Sequence, residues 1–138
     1  MALANLPLQV EQASDWSQSF VFGTGDSSGN PNPANATWYN LTGTVSIAFS
    51  VNETDDPSSA VLVALTLGAG IALYSGTIQG YPPTPAAPNG FTLTLTAAQT
   101  KAMPIGTYYY DCAVMAGTGL VSYYLKGSFQ VVATVARP

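Results

Sequence analysis

The residues that could perform catalysis are few in this chain. Its 138 residues include seven aspartates and glutamates, three lysines and arginines, one cysteine and no histidine. Most nucleophilic and acid–base arrangements pair a reactive side chain with a histidine or another base, so this composition excludes them. Cys112 lies in the apolar alternation of a tyrosine-rich segment, which predicts a buried and unreactive thiol. We therefore expect no enzymatic activity and no catalytic residues.

A cluster of acidic residues is the strongest candidate for metal binding. Glu53, Asp55 and Asp56 follow Asn52 in the segment Val-Asn-Glu-Thr-Asp-Asp-Pro, and together they offer the oxygen ligands that Ca²⁺ prefers. The segment lacks the glycine spacing of a calcium-binding loop, which favours a solvated acidic turn. We expect no bound metal and no cofactor.

Aromatic residues are the most abundant chemical resource, with eight tyrosines, two tryptophans and five phenylalanines. Tyr and Trp combine an apolar ring with a polar tip, which suits both cores and recognition surfaces. Some of them lie in polar loops, and strand alternation places others on a predicted outer face. The predicted interface residues are Trp38, Tyr39, Tyr81, Tyr109 and Tyr124.

Charge and hydropathy exclude two classes of partner. The net charge is −4 and the sequence lacks a basic stripe, so we expect no binding to nucleic acid and none to an anionic membrane. The first ten residues contain no Lys or Arg, and Pro7 interrupts their apolar character, so we expect no secretory signal. The most apolar window, residues 60–74, is too short and too rich in glycine for a membrane-spanning helix.

Period-two alternation predicts an all-β domain over residues 1–138, with one apolar face and one small polar face on each strand. The alternation is clearest at residues 45–51 and 91–95, and turns are expected at Gly68-Ala-Gly70, Asn89-Gly90 and Lys126-Gly127. One short helix is predicted over residues 96–103. The predicted strands cover residues 6–12, 16–22, 45–51, 61–67, 91–95, 108–115, 120–125 and 129–135.

Seven or eight such strands favour an antiparallel β-sandwich of immunoglobulin-like type, with a partly closed barrel as the alternative. A hairpin is expected between residues 108–115 and 120–125. Two long loops, residues 23–43 and 76–90, interrupt the strands, and long loops in a domain of this size are commonly functional.

Several spaced segments resemble one protein family. They are Leu6-Pro-Leu-Gln-Val-Glu-Gln-Ala-Ser-Asp-Trp16, Asn40-Leu-Thr-Gly43, Gly90-Phe-Thr-Leu-Thr-Leu-Thr, Pro104-x-Gly-Thr-Tyr-x-Tyr-Asp111, and Gly127-x-Phe-x-Val before Arg137. In this order they resemble small virion-associated proteins of tailed bacteriophages, similar to the N-terminal domains of baseplate upper proteins. The resemblance implies an immunoglobulin-like sandwich in the virion, on a capsid, neck, tail or baseplate, made in the cytoplasm of the bacterial host.

Three functions follow as hypotheses. The first is a non-enzymatic structural protein of a tailed-phage virion, whose partners are other virion proteins and further copies of itself. The second is a carbohydrate-binding module that contacts host-surface glycans weakly through Trp38, Tyr39 or Tyr81. The third is a small hydrolase with Asp15 or Asp111 as its acid.

Overall fold

Alternating apolar and small polar residues form an all-β chain in the computed structural model, which describes residues 4–23, 39–56, 58–76 and 87–133. The described strands are β1 (Ala4–Asn5), β2 (Leu8–Glu11), β3 (Trp16–Val21), β4 (Ser46–Asn52), β5 (Val61–Leu67), β6 (Gly70–Tyr74), β7 (Gly90–Leu95), β8 (Gly106–Met115) and β9 (Val121–Val132). A short helix, α1 (Ala97–Ala102), lies between β7 and β8. Most of the two predicted long loops lies outside the described residues.

The described strands form one mixed sheet in the order β1-β9-β8-β4-β5-β6-β7-β3, and β2 also pairs with β9. The expectation of a wholly antiparallel arrangement is wrong at three places, because β1 and β2 run parallel to β9, and β5 runs parallel to β6 over two residue pairs. Between β5 and β6, Gly68 and Gly70 have φ angles of 91° and 96°. Glycine adopts this conformation without steric cost, so the chain turns a corner there and continues in the same direction.

The core lies between two arms of this sheet that face each other. One arm carries β4, β8 and β9, and the other carries β3, β6 and β7. Trp16 of β3 contacts Phe129 of β9 edge to face, with ring centroids 6.2 Å apart, and Phe49 packs against the same ring at 6.2 Å. Phe49, Phe91 and Phe129 are fully buried. Burying each such ring contributes about 1.5–3 kcal/mol, so these contacts hold the arms together.

The predicted helix is confirmed as α1. Thr96 caps it by accepting a hydrogen bond from the Gln99 backbone N–H, and the Gln99 side chain accepts one from the Thr96 N–H in return. This reciprocal capping box satisfies two donors that the helix start would otherwise leave free.

The turn between β2 and β3 fastens α1 to the sheet. The buried Thr100 hydroxyl donates to the Ser14 carbonyl at 2.8 Å and accepts from the Ser14 N–H at 3.1 Å. Asp15 accepts a hydrogen bond from the Ala97 N–H at 2.7 Å, at the positive end of the helix. Asp15, a candidate acid in the hydrolase hypothesis, thus has a structural contact that accounts for its position.

The expected hairpin is confirmed by the antiparallel pairing of β8 with β9, but β9 is longer than expected. The turn expected at Lys126-Gly127 is wrong, because both residues lie inside this strand. Gly127 is needed there for a different reason: a Cβ at this position would lie 2.5 Å from the Leu6 carbonyl oxygen. The absence of a side chain at Gly127 lets the N-terminal strand approach β9 closely. The glycine does not end β9.

A buried tyrosine completes this close approach. Tyr110 lies opposite Gly127 in the β8–β9 register, and its hydroxyl donates to the Leu6 carbonyl at 2.6 Å. The registers of β1 and β2 on β9 are continuous on either side of Leu6 and Pro7. Because the Leu6 N–H bonds to the Lys126 carbonyl, the next residue faces the free edge, where Pro7 costs no ladder hydrogen bond.

A second buried polar residue holds the end of β6. The Asn89 side chain is fully buried, and it accepts a hydrogen bond from the Gly76 N–H and donates one to the Gly76 carbonyl, both at 3.0 Å. The Asn89 carbonyl also accepts from the Phe22 N–H at 2.9 Å. Asn89 therefore joins β6 and the end of β3 just before β7, where the sequence predicted only a turn.

The Tyr110 hydroxyl provides a direct test of this architecture. We expect Tyr110→Phe to lower the free energy of unfolding by about 1–2 kcal/mol, because the part-buried Leu6 carbonyl loses its donor. Tyr109→Phe is the matched control, because Tyr109 is the next residue in the strand and its ring is exposed. This variant should change the free energy of unfolding by no more than about 0.5 kcal/mol. Urea unfolding of both variants makes the comparison, and equal effects would contradict the assigned role of Tyr110.

Candidate functional site

The strands β8 and β9 present an extended surface on their outward side. With ten and twelve residues, they are the two longest strands of the described residues. Alternation directs every second side chain to the core and the others outward. We call the outward set the hairpin face, which consists of Thr107, Tyr109, Asp111, Ala113 and Met115 from β8 and Val121, Tyr123, Lys126, Ser128 and Gln130 from β9.

Large apolar side chains on the hairpin face are unusually exposed. Tyr109 is 42% exposed, Val121 49% and Tyr123 54%. Leu120, in the turn before β9, is 69% exposed. Leu120, Val121 and Tyr123 lie together near the turn of the hairpin, and grouped exposed apolar side chains commonly mark a contact surface.

An open cleft of about 420 Å³ adjoins one end of the hairpin face. Tyr109, Asp111 and Lys126 line one side of it, and Asn52 and the acidic turn after β4 line the other. The cleft therefore combines one exposed aromatic ring with carboxylate, amide and ammonium groups.

The acidic turn is solvated, as expected from its composition. Glu53, Asp55 and Asp56 are exposed. The Asp56 carboxylate accepts hydrogen bonds from the Ser58 N–H at 2.9 Å and from the Ser58 hydroxyl at 2.8 Å, and these bonds lower the pKa of Asp56. In the described part of the chain, no three acidic, histidine or cysteine side chains come together in a way that could hold a metal ion.

Of the carboxylates that line this cleft, Asp111 has the environment that least resembles bulk water. Partial burial raises the pKa of Asp111 above its ordinary value of 3.8. Lys126 is its cross-strand partner on β9, and Ser50 is its partner on β4. Two side chains of opposite charge and one hydroxyl provide hydrogen-bonding capacity on this side of the cleft, and Asp55 and Asp56 of the acidic turn add carboxylates on the other side.

The structure separates the five residues that the sequence predicted as an interface. Tyr109 lies on the hairpin face, in agreement with its predicted exposure. Tyr39 is half-buried, with its ring stacked on Phe22 at 6.4 Å, so it is not a free loop aromatic. Trp38 and Tyr81 lie outside the described residues.

The prediction that Tyr124 lies on the surface is wrong. Its side chain is only 7% exposed, and its ring lies 4.9 Å from that of Phe22 in an edge-to-face contact. The cause is a β-bulge: Cys112 pairs with Leu125 and Ala113 with Tyr123, so Tyr124 is an extra residue in β9. The bulge breaks the alternation and turns Tyr123 outward in its place.

Sequence reasoning therefore missed Tyr123 and Val121 as exposed residues. The apolar run that contains them indicates a strand but carries no mark of the bulge. The sequence signal is the run Tyr123-Tyr124-Leu125, because a strand with strict alternation does not bury two adjacent residues. In the structure Tyr124 and Leu125 are both buried, so the alternation breaks there.

A second outward surface lies on the other arm and differs in character. Ser19 and Thr92 pair across β3 and β7 with their hydroxyl oxygens 2.7 Å apart, and Ser17 and Thr94 do so at 3.3 Å. We call these four residues the hydroxyl face. Its polar groups already bond to one another and none of its four members is large and apolar, so these four residues present less for a partner to bind.

Neither a protein-family model nor a curated protein matches the sequence. Among solved structures, the chain is similar to CopC from Methylosinus trichosporium OB3b, with 16% identity over 96% of this chain and 89% of that one and a TM-score of 0.40. It is also similar to a chain from a structure concerning T cell activation by the bacterial superantigen toxic shock syndrome toxin-1. That match has 14% identity, covers 91% of this chain and 92% of the other, and has a TM-score of 0.45.

The described residues contain no helix long and apolar enough to cross a bilayer. Cys112 is fully buried, as expected. Burial, followed by the nearby charge of Asp111, raises the pKa of the Cys112 thiol from 9.0 to about 12. Burial also raises the pKa of Tyr110 above its ordinary value of 10.0. Both groups are therefore neutral in the folded protein at neutral pH.

These two groups predict the alkaline stability of the fold. A group whose pKa is higher in the folded than in the unfolded chain stabilises the fold below the unfolded value, and this stability is lost as the pH rises through the folded value. We expect the free energy of unfolding to fall as the pH rises from 9.0 towards about 12, the range of the Cys112 thiol. Urea unfolding across this range measures it.

Cys112→Ala supplies the control for the alkaline prediction. This variant loses packing at every pH, but its free energy of unfolding should fall less steeply with rising pH because one titrating group is gone. A thiol that reacts with a disulfide reagent in the native protein at neutral pH would contradict the assigned burial.

Proposed function

We propose that the fold is a variant of the immunoglobulin-like sandwich. Its strand order supports this: β3, β7 and β6 correspond to strands B, E and D, while β9, β8, β4 and β5 correspond to G, F, C and C′. The N-terminal strand then corresponds to strand A. The Tyr108 hydroxyl donates to the Pro104 carbonyl at 2.7 Å, four residues upstream at the start of β8, in the manner of a tyrosine corner.

We propose that the protein is a non-enzymatic structural component of a tailed-phage virion. The observation that carries the structural role is the hairpin face, an extended surface with exposed Tyr and Val side chains and only two charges. Burying neutral and apolar groups avoids the desolvation cost that a charged face would incur. Such a surface suits permanent contacts in a particle, and the family resemblance supplies the phage context.

Assembly energetics favour this role for a chain with so few charges. A specific interface buries about 1,200–2,000 Å² in total, and symmetric repetition multiplies each contact around a particle. The same composition offers little to a polyanionic partner. The role as a cement, decoration or adaptor protein requires only contacts of this type.

The proposed virion role has a direct test. In particles of the phage that encodes this chain, purified through a density gradient and washed at high salt, we expect mass spectrometry to find the protein in a fixed ratio to the major structural proteins. Host cytoplasmic proteins in the same preparation are the control for contamination. Its absence from washed particles would contradict the proposal.

The open cleft favours glycan binding as a second candidate function. Tyr109 offers an exposed ring for stacking on a sugar, and Asn52, Asp111 and Lys126 offer hydrogen bonds to hydroxyl groups. Tyr39 does not contribute to this candidate, because its half-buried ring packs on Phe22 and does not line the cleft.

Glycan binding predicts a selective loss. Any glycan that binds on an array should lose at least about tenfold in affinity with Tyr109→Ala, the equivalent of 1.4 kcal/mol. Tyr123→Ala is the matched control, because this exposed tyrosine does not line the cleft. An array without binding would exclude this candidate and leave the structural role intact.

A further inference from the structure

We propose that two copies of this chain pair face to face through the hairpin face, about a two-fold axis parallel to β8 and β9. The axis lies between the two stacked copies, above the line midway between β8 and β9. This inference rests on the proposed structural role and names the first partner of that role, a second copy, together with the surface that binds it. It follows from the sizes and charges of the side chains that the β8–β9 register brings together.

The register makes the hairpin face complementary to itself. A two-fold axis between two strands exchanges them, so each outward side chain faces the residue that is its own cross-strand neighbour, in the second copy. The outward pairs of this register are Met115 with Val121, Ala113 with Tyr123, Asp111 with Lys126, Tyr109 with Ser128, and Thr107 with Gln130. In three of the five pairs, the partners differ strongly in size or are opposite in charge.

Size complementarity carries the apolar half of the face. Tyr123, which is 54% exposed, faces Ala113 of the second copy, where a methyl group leaves room for its ring. Tyr109 likewise faces the small Ser128. Faces of paired sheets pack closely when side chains interdigitate, and large residues opposite small ones satisfy this requirement in both copies at once.

Charge complementarity carries the polar half. The two charged residues of the hairpin face, Asp111 and Lys126, are cross-strand partners in the register. The axis therefore sets Asp111 of one copy against Lys126 of the other, twice per dimer. Opposite charges favour this position of the axis. An axis shifted sideways, over β8 alone or over β9 alone, would set like charges opposite each other. A partner with a uniformly charged surface would meet one of the two unfavourably.

The hydroxyl face on the other arm offers no such match. Its serine and threonine hydroxyls bond to one another across β3 and β7, and its four members are similar in size. A second copy stacked on it would find neither large side chains to bury nor opposite charges to pair. It therefore serves as the control surface.

Charge-reversal variants test the dimer. In sedimentation velocity, we expect the wild-type chain to be a dimer, and Asp111→Lys and Lys126→Asp each to weaken it by more than about tenfold, because each sets like charges together across the axis. An equimolar mixture of the two variants should restore the dimer, since each copy then supplies the charge that the other needs. Pairing within one chain cannot produce this restoration.

A steric variant tests the other half of the face. Ala113→Arg should abolish the dimer by filling the space for Tyr123, whereas Thr94→Arg on the hydroxyl face should leave it unchanged. Unaltered urea unfolding of both variants checks the fold. A wild-type chain that stays monomeric at millimolar concentration, or a mixture of the charge variants that stays monomeric, would overturn the inference.

The outcomes separate this inference from the function on which it rests. A chain found in washed particles but monomeric in solution would overturn the self-pairing and leave the virion role standing. A dimer with the expected variant behaviour that is absent from particles would overturn the virion role and leave the hairpin-face contact standing.

Discussion

One hydrogen bond joins β8 to the N-terminal strand across β9. The Tyr110 hydroxyl reaches the Leu6 carbonyl at 2.6 Å because Gly127, between them, has no side chain. Together with the parallel pairing of β1 and β2, this bond fixes the N-terminal strand against β9. β9 in turn pairs with β8 along its length, with a bulge at Tyr124. A larger residue at position 127 would displace the N-terminal strand from the sheet.

Alternation in the sequence was sufficient to predict most strands, because burial on one side of a sheet imposes period two directly on the residue types. Start and stop signals predicted the helix. Alternation was insufficient inside β9. There, Gly127 is required by the close approach of Leu6, which lies 121 positions earlier in the chain, and the bulge at Tyr124 arises from the register with β8. The first is a consequence of pairing between distant segments and the second of the register inside one hairpin, and a local pattern of residue types records neither.

The candidate site was predictable only in part for the same reason. The low charge and the exposed Tyr109 follow from composition and alternation. The exposure of Tyr123 and the cross-strand match of Asp111 with Lys126 require the register. Asp111 and Asp15 were the candidate acids; the structure places Asp111 opposite Lys126 in the β8–β9 register and gives Asp15 a hydrogen bond from a helix N-terminus.

The parallel pairing of the first strand with the last has a consequence for biosynthesis. Residues 4–11 leave the ribosome long before their partners on β9, residues 125–132. Contacts between segments so far apart form slowly, because closing the intervening chain costs entropy before the contact is gained. The nascent N-terminal strand must therefore wait, unpaired, until nearly all of the described chain has been synthesised. During that wait, Pro7 and the charged Glu11 reduce the risk that this exposed strand pairs with another nascent chain.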